Sequence, residues 1–145
     1  MKLLHKKEDY IIIVGCGRLG ANLANTLSDD NGNVLIMDTS RDSFRRLSSD
    51  FGGLSMVGSG TDLDALHNAQ IEKAAAVIAV TNDDNTNIMV VQLAREMFHV
   101  SRVIARLYDP DRESVYQELG IDTICPAILS AKEVGNLLEN CGKGA

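Results

Sequence analysis

Short apolar runs alternate with stretches whose apolar residues recur every three or four positions, and this alternation runs the whole chain. The first run, Tyr10–Val14, is apolar throughout and ends at Gly15. Leu23, Ala24 and Leu27 then repeat at helical spacing, which predicts a helix over 18–28. A turn is expected at Asp30-Asn31-Gly32, followed by a second strand over 34–37 that closes on Asp38. Ser40 is a candidate N-cap for a helix carrying Phe44 and Leu47, Leu54–Val57 reads as a third strand, and Asp62 is placed to cap a short helix through Leu66.

The second half repeats the scheme. Residues 75–80 carry no polar side chain, the signature of a strand covered on both faces. Val90, Leu93, Ala94 and Met97 mark one face of a longer helix, and 103–105 is a fifth strand. Asp109-Pro110 reads as N-cap and first helical residue of a segment bearing Val115, Tyr116 and Leu119, with Gly120 as its stop. A sixth strand is expected over 121–125, then a last helix with Ala131, Val134 and Leu138 on one face. Unbroken strand–helix alternation predicts a Rossmann-type three-layer α/β sandwich around a six-stranded, mainly parallel sheet. The expected organisation is a flexible charged tail over 1–9, a nucleotide-binding domain over 10–126, and a terminal helix with a frayed end over 127–145.

Composition narrows the function. With 145 residues, 45% hydrophobic and 23% charged, the chain has room for one soluble domain. No apolar run reaches the roughly 20 residues of a membrane span, and the start has no signal-peptide core, so a cytoplasmic location is expected. A net charge of −6 with few basic clusters, Lys6–Lys7 and Arg45–Arg46, argues against nucleic acid as partner. Cys16, Cys125 and Cys141 lack CxxC spacing and read as reduced thiols, while His5, His67 and His99 stand apart, so no metal site is expected.

The chemistry concentrates in Gly15-Cys16-Gly17-Arg18-Leu19-Gly20, a GxGxxG that follows a buried strand, opens a helix and is followed by an acid at the end of the next strand. Gly15 allows the tight turn, Gly17 the approach of backbone N–H groups to phosphate, and Gly20 close helix–strand packing. The helix N-terminus adds partial positive charge. Asp38 either accepts from ribose hydroxyls, disfavouring a 2′-phosphate, or caps the helix after Thr39-Ser40-Arg41. Arg18 either forks onto phosphate oxygens or is solvated on the first helical turn, and Arg41 could meet a 2′-phosphate or lie on the surface.

Two more loops follow strands on the same side. The small residues of Gly58-Ser59-Gly60-Thr61-Asp62 would admit an adenine ring. Thr81-Asn82-Asp83-Asp84-Asn85 either contributes polar contacts or caps a helix. Asp83 and Asp84 add negative charge at that helix start, which would repel a triphosphate unless a metal bridged them and favours AMP or ADP over ATP. NAD(H) follows closely, because Thr81, Asn82 and Asp83 offer a nicotinamide only short polar groups. There is no Tyr-x-x-x-Lys pair, no Gly-x-Ser-x-Gly elbow and no clustered His, Asp and Ser set. Binding without catalysis is therefore the expectation, with a small NAD-dependent oxidoreductase as the alternative.

These motifs together carry a family resemblance: the Ile11-to-Gly20 stretch, Val34-Leu-Ile-Met-Asp38, Gly58-Ser-Gly-Thr-Asp62, Thr81-Asn-Asp-Asp-Asn85, Ile104-Ala-Arg106 and Asp109-Pro110. The chain resembles the N-terminal nucleotide-binding (RCK, KTN or TrkA-N) domain of the Trk/Ktr regulators of potassium transport. The resemblance implies a Rossmann domain that dimerises through a C-terminal crossover helix and joins a ring beneath a membrane transporter or channel, at the inner face of the cell membrane. It implies an adenine nucleotide or NAD(H) whose binding gates ion flux. It places phosphates on Arg18 and the amides of Gly17 to Gly20, ribose on Asp38, adenine on the loop of Ser59, Gly60 and Thr61, and phosphates again on Arg106, which from sequence alone could equally be a surface residue. The family usually has Gly-Asp-Ala-Thr where this chain has Gly58-Ser59-Gly60-Thr61, which puts recognition of the adenine amino group in doubt. The second ligand-binding subdomain of the family is absent from the sequence, so the chain is either a piece of a longer regulator or a short subunit working with a longer companion.

Overall fold

A computed structural model describes residues 9–29 and 33–143, the last two by backbone alone. Six strands form the sheet: β1 (Tyr10–Val14), β2 (Asn33–Asp38), β3 (Leu54–Val57), β4 (Ala76–Ala79), β5 (Arg102–Arg106) and β6 (Asp122–Ile124). The helices are α1 (Arg18–Asp29), α2 (Leu63–Asn68), α3 (Asp84–Glu96), α4 (Glu113–Glu118) and α5 (Pro126–Lys143). The sheet order is β3-β2-β1-β4-β5-β6, and every pairing is parallel. The order reverses between β1 and β4, where a doubly wound sheet opens a crevice at its carboxyl edge.

The pleat sorts β1 between two cores. Ile12 and Val14 join Leu35, Met37, Leu66, Val90 and Val91 under α2 and α3, while Ile11 and Ile13 join Ala21, Ala24, Leu27 and Ile36 under α1. All five residues of β1 can be apolar because both faces are covered.

The expected elements are present, with differences at their ends. The strands expected over 75–80 and 121–125 are shorter. The helix after Ser40 is a 3-10 helix, Arg41–Arg46, and the Ser40 side chain makes no cap bond. Asp38 instead accepts from the Ser40 amide at 2.8 Å, which turns the chain immediately after β2. A 3-10 turn, Pro110–Arg112, also precedes α4, with Asp109 accepting from Asp111 N as the expected cap. The tail over 1–8, the turn at Asp30-Asn31-Gly32 and the last two residues lie outside the described residues.

Two local constraints hold the carboxyl edge together. Gly15 has φ +109°, and its N–H donates to the Met37 carbonyl at 2.8 Å. A Cβ on Gly20 would meet the Gly15 carbonyl oxygen at 1.8 Å, so α1 rests on the end of β1 only with glycine there. On the other side, Asn87 of α3 is fully buried and fully bonded. Its Oδ1 accepts from Thr81 N at 2.8 Å and Thr81 Oγ1 at 2.6 Å, and its Nδ2 donates to the carbonyls of Thr81 at 3.1 Å and Arg106 at 2.9 Å.

Gly20→Ala is expected to lower unfolding free energy by about 2–3 kcal/mol or more, since the clash is with backbone. Asn87→Leu is expected to cost a similar ~2–3 kcal/mol, because it strands buried donors and acceptors. Urea unfolding midpoints check both. A change below about 0.5 kcal/mol in either would contradict the packing described.

Candidate functional site

The carboxyl edge encloses a cleft of about 510 Å³ that straddles the strand-order reversal. One wall is the glycine loop and the first turn of α1, whose N–H groups have no intrahelical acceptor. Gly17 lies at the cleft surface, and a Cβ built on it meets nothing within 4 Å. The loop is tied to the neighbouring strand by Asp38, whose Oδ2 accepts from Cys16 N at 2.8 Å. Both carboxylate oxygens of Asp38 therefore hold backbone, at Cys16 and at Ser40, and each retains a further lone pair.

Of the residues singled out from sequence, Gly15, Cys16, Gly17, Arg18, Asp38, Thr39, Ser59, Gly60, Thr81, Asn82 and Arg106 line the cleft. The others stand outside the lining. Leu19 lines an apolar groove on the α1 side of the sheet. Gly20 packs against Gly15, and Ser40 and Arg41 are exposed. Thr61 Oγ1 bonds Ser59 Oγ at 2.8 Å, and Asp83 caps α3 by accepting from Asn85 N.

Sequence reasoning passed over Ser43, Arg46, Thr86 and Tyr108, which also line the cleft. A 3-10 helix has three residues per turn, so Ser43 and Arg46 share one face. Tyr108 follows Arg106 at the end of β5, two positions on, and the signal available for it was its place at the carboxyl end of a strand.

The lining is electropositive. Arg18, Arg46 and Arg106 face one carboxylate, Asp38. Arg106 Nη2 donates to the Thr81 carbonyl at 2.7 Å, its guanidinium lies 4.8 Å from the centre of the Tyr108 ring, and its Nε is buried without a hydrogen-bond partner. The acidic pair at the start of α3 bonds neighbouring groups of the chain. Asp83 accepts from Asn85 N at 3.0 Å and Thr86 Oγ1 at 3.1 Å, and Asp84 accepts from Tyr108 N at 2.7 Å and Asp109 N at 3.0 Å. Neither lines the cleft.

Cys16 is the one thiol in the lining, and it is buried. Burial, then the Asp38 carboxylate, pushes its thiol pKa up against the opposing pull of Arg46. Its Sγ donates to the Ser43 carbonyl at 3.3 Å. A protonated, bonded thiol is a packing group rather than a nucleophile. Among the described residues no three His, Cys, Asp or Glu side chains gather as a metal site would require, and no helix is long and apolar enough to cross a membrane.

The sequence and the fold have counterparts among known proteins. Residues 11–126 match the TrkA-N domain family. The Trk system potassium uptake protein TrkA of Streptomyces coelicolor is 46% identical over 125 residues, which cover 86% of this chain and 56% of that protein. The chain thus spans about half the length of the curated relatives it matches. Among solved structures, the GsuK channel bound to NAD superimposes with a TM-score of 0.79 at 26% identity, over 94% of this chain and 24% of that one. GsuK bound to ADP superimposes with a TM-score of 0.77 at 26% identity, over 94% of this chain and 35% of that one. With a family match across most of its length and a relative nearly half identical, the chain belongs to the TrkA-N domain family.

Proposed function

We propose that this chain is the nucleotide-sensing domain of a potassium-uptake regulator, binding an adenine nucleotide in the cleft and passing the result to a membrane transporter. The carrying observation is the cleft itself: a glycine loop and helix N-terminus at the strand-order reversal, with three arginines around one carboxylate. Such a lining suits a phosphate-bearing ligand. The orphaned Arg106 Nε is a buried donor that an anionic oxygen would satisfy. In this reading Arg18 and the amides of Gly17 to Gly20 hold phosphate, Asp38 accepts from ribose while keeping the loop in place, and Ser59 and Gly60 border the adenine. The potassium-uptake relatives and the nucleotide-bound GsuK structures support the assignment.

Transmission requires that ligand bias two arrangements of an assembly. Helix α5 is the element suited to link copies. Val134, Leu137 and Leu138 are 56%, 57% and 69% exposed, an apolar stripe unlike that of a solvated helix. On the α1 side of the sheet, an apolar groove of about 550 Å³ lined by Leu19, Leu23, Ile78, Ile104 and Ile124 lies open. In our reading α5 of a second copy covers such apolar surface, giving a dimer or a ring beneath the transporter at the inner membrane face.

Three outcomes are expected. In calorimetric titrations with AMP, ADP, ATP, NAD, NADH and NADP, NADP binds worst, because Asp38 crowds a 2′-phosphate. Gly17→Val lowers affinity at least tenfold while leaving the unfolding midpoint near wild type, since its side chain points into open cleft rather than protein. Wild-type affinity in that variant would remove the glycine loop from the site. The double substitution Val134→Glu with Leu138→Glu reduces the mass seen by light scattering to that of one chain, and an unchanged oligomer would rule out α5 as the linking element.

A further inference from the structure

The half of the cleft under β4 and β5 contains a built aromatic surface that the nucleotide-binding reading does not use. Tyr108 follows Arg106 across the end of β5 and lines the cleft with 53% of its surface exposed. Its ring is held on one side by the Arg106 guanidinium at 4.8 Å. Arg106 is in turn fixed by its 2.7 Å bond to the Thr81 carbonyl, and the Arg106 carbonyl is fixed by Asn87. The Tyr108 backbone is held as well: Asp84 accepts from Tyr108 N at 2.7 Å and from Asp109 N at 3.0 Å. An exposed tyrosine anchored through backbone and ring loses little conformational entropy when a second ring settles on it.

The distances fit a ligand with two rings. From the Asp38–Ser43–Arg46 corner beside β2 to Tyr108 beyond β5, the cleft crosses three strand spacings, about 14 Å at ~4.8 Å each. A mononucleotide with its ribose at Asp38 and its phosphate at the glycine loop occupies the β1–β2 half and leaves the Tyr108 half vacant. A dinucleotide spans both halves across the strand-order reversal. Sequence reasoning set a nicotinamide behind a mononucleotide because Thr81, Asn82 and Asp83 supply only short polar groups. The structure adds a flat, cation-backed ring to the same half.

We infer that Tyr108, backed by Arg106, is a stacking platform for the second heteroaromatic ring of a dinucleotide, and that it is what selects a dinucleotide over a mononucleotide in this chain. The inference rests on the proposed nucleotide site and adds its ligand class. Aromatic stacking of a base contributes enough that truncation to alanine costs severalfold to a hundredfold in affinity. Of the groups proposed above to bind nucleotide, Tyr108 touches Arg106, whose guanidinium the Thr81 carbonyl holds independently, so loss of the ring falls chiefly on a ligand that reaches it.

The test titrates the 145-residue chain with NADH, followed by nicotinamide fluorescence, and with AMP, followed by calorimetry. Wild type should bind NADH more tightly than AMP. Tyr108→Ala should lose about tenfold in NADH affinity with AMP affinity changed less than twofold, and Tyr108→Phe should keep both. Unchanged AMP binding also certifies that Tyr108→Ala is folded. Equal losses for the two ligands, no loss for either, or wild-type binding of AMP without NADH would overturn the platform while leaving the nucleotide site standing. Failure of wild type to bind any adenine nucleotide would overturn the site and the platform together.

Discussion

The carboxyl edge of this domain depends on how near α1 comes to the end of β1. The Gly15 carbonyl occupies the space where a Gly20 side chain would begin. That approach places the N-terminal residue of α1, Arg18, in the cleft lining. It also brings Cys16 N within reach of Asp38, so the loop and β2 are joined by a charge-assisted bond. The glycine loop is thus fixed from two directions, by packing beneath and by a carboxylate beside it. Such rigidity is what the proposed phosphate site requires of a bare backbone.

Charge in the cleft comes from different elements with one sign. Arg18 belongs to α1, Arg46 to the 3-10 helix after β2 and Arg106 to β5. A chain carrying net charge −6 nonetheless gathers three cations around a single acid at this edge. It does so partly by directing nearby acids elsewhere, since Asp83 and Asp84 bond backbone amides at the start of α3 and after β5. A cleft lined by one sign of charge raises the local concentration of counter-ions even on a protein of the opposite net charge.

Most of the fold was legible because its signals are local. Buried parallel strands read as apolar runs, and amphipathic helices read by their period. Strand ends differ by a residue because the apolar run includes Ala75 and Val80, which flank the paired residues of β4 and still bond the Tyr10 and Val14 carbonyls of β1. The glycine loop and Asp38 were legible because their spacing is short and their context demanding. What sequence left unread depended on backbone geometry or distant contact. Ser43 and Arg46 share a helix face, but only the tertiary placement of that helix shows that the face borders the cleft. Asn87 looks like a polar residue in an amphipathic helix until its partners at Thr81 and Arg106 are seen. Asp83 caps α3, one of the two readings its sequence allowed, whereas the bonds of Asp84 to Tyr108 N and Asp109 N reach 24 and 25 residues along the chain and leave no local signal.

Asn87 also has a mechanical meaning. It sits one turn into α3 and grips both the β4 exit and the β5 exit through four hydrogen bonds. Those exits are opposite lips of the same half of the cleft. Spreading or closing the lips must break that grip or drag the helix along. Helix α3 has 13 residues, a rod of about 20 Å at 1.5 Å per residue. Its far end turns back at His99, whose φ of +57° reverses the chain toward β5. A tilt of a few degrees at the clamped end therefore becomes a displacement of about an ångström at the other, on the opposite rim of the domain from the cleft.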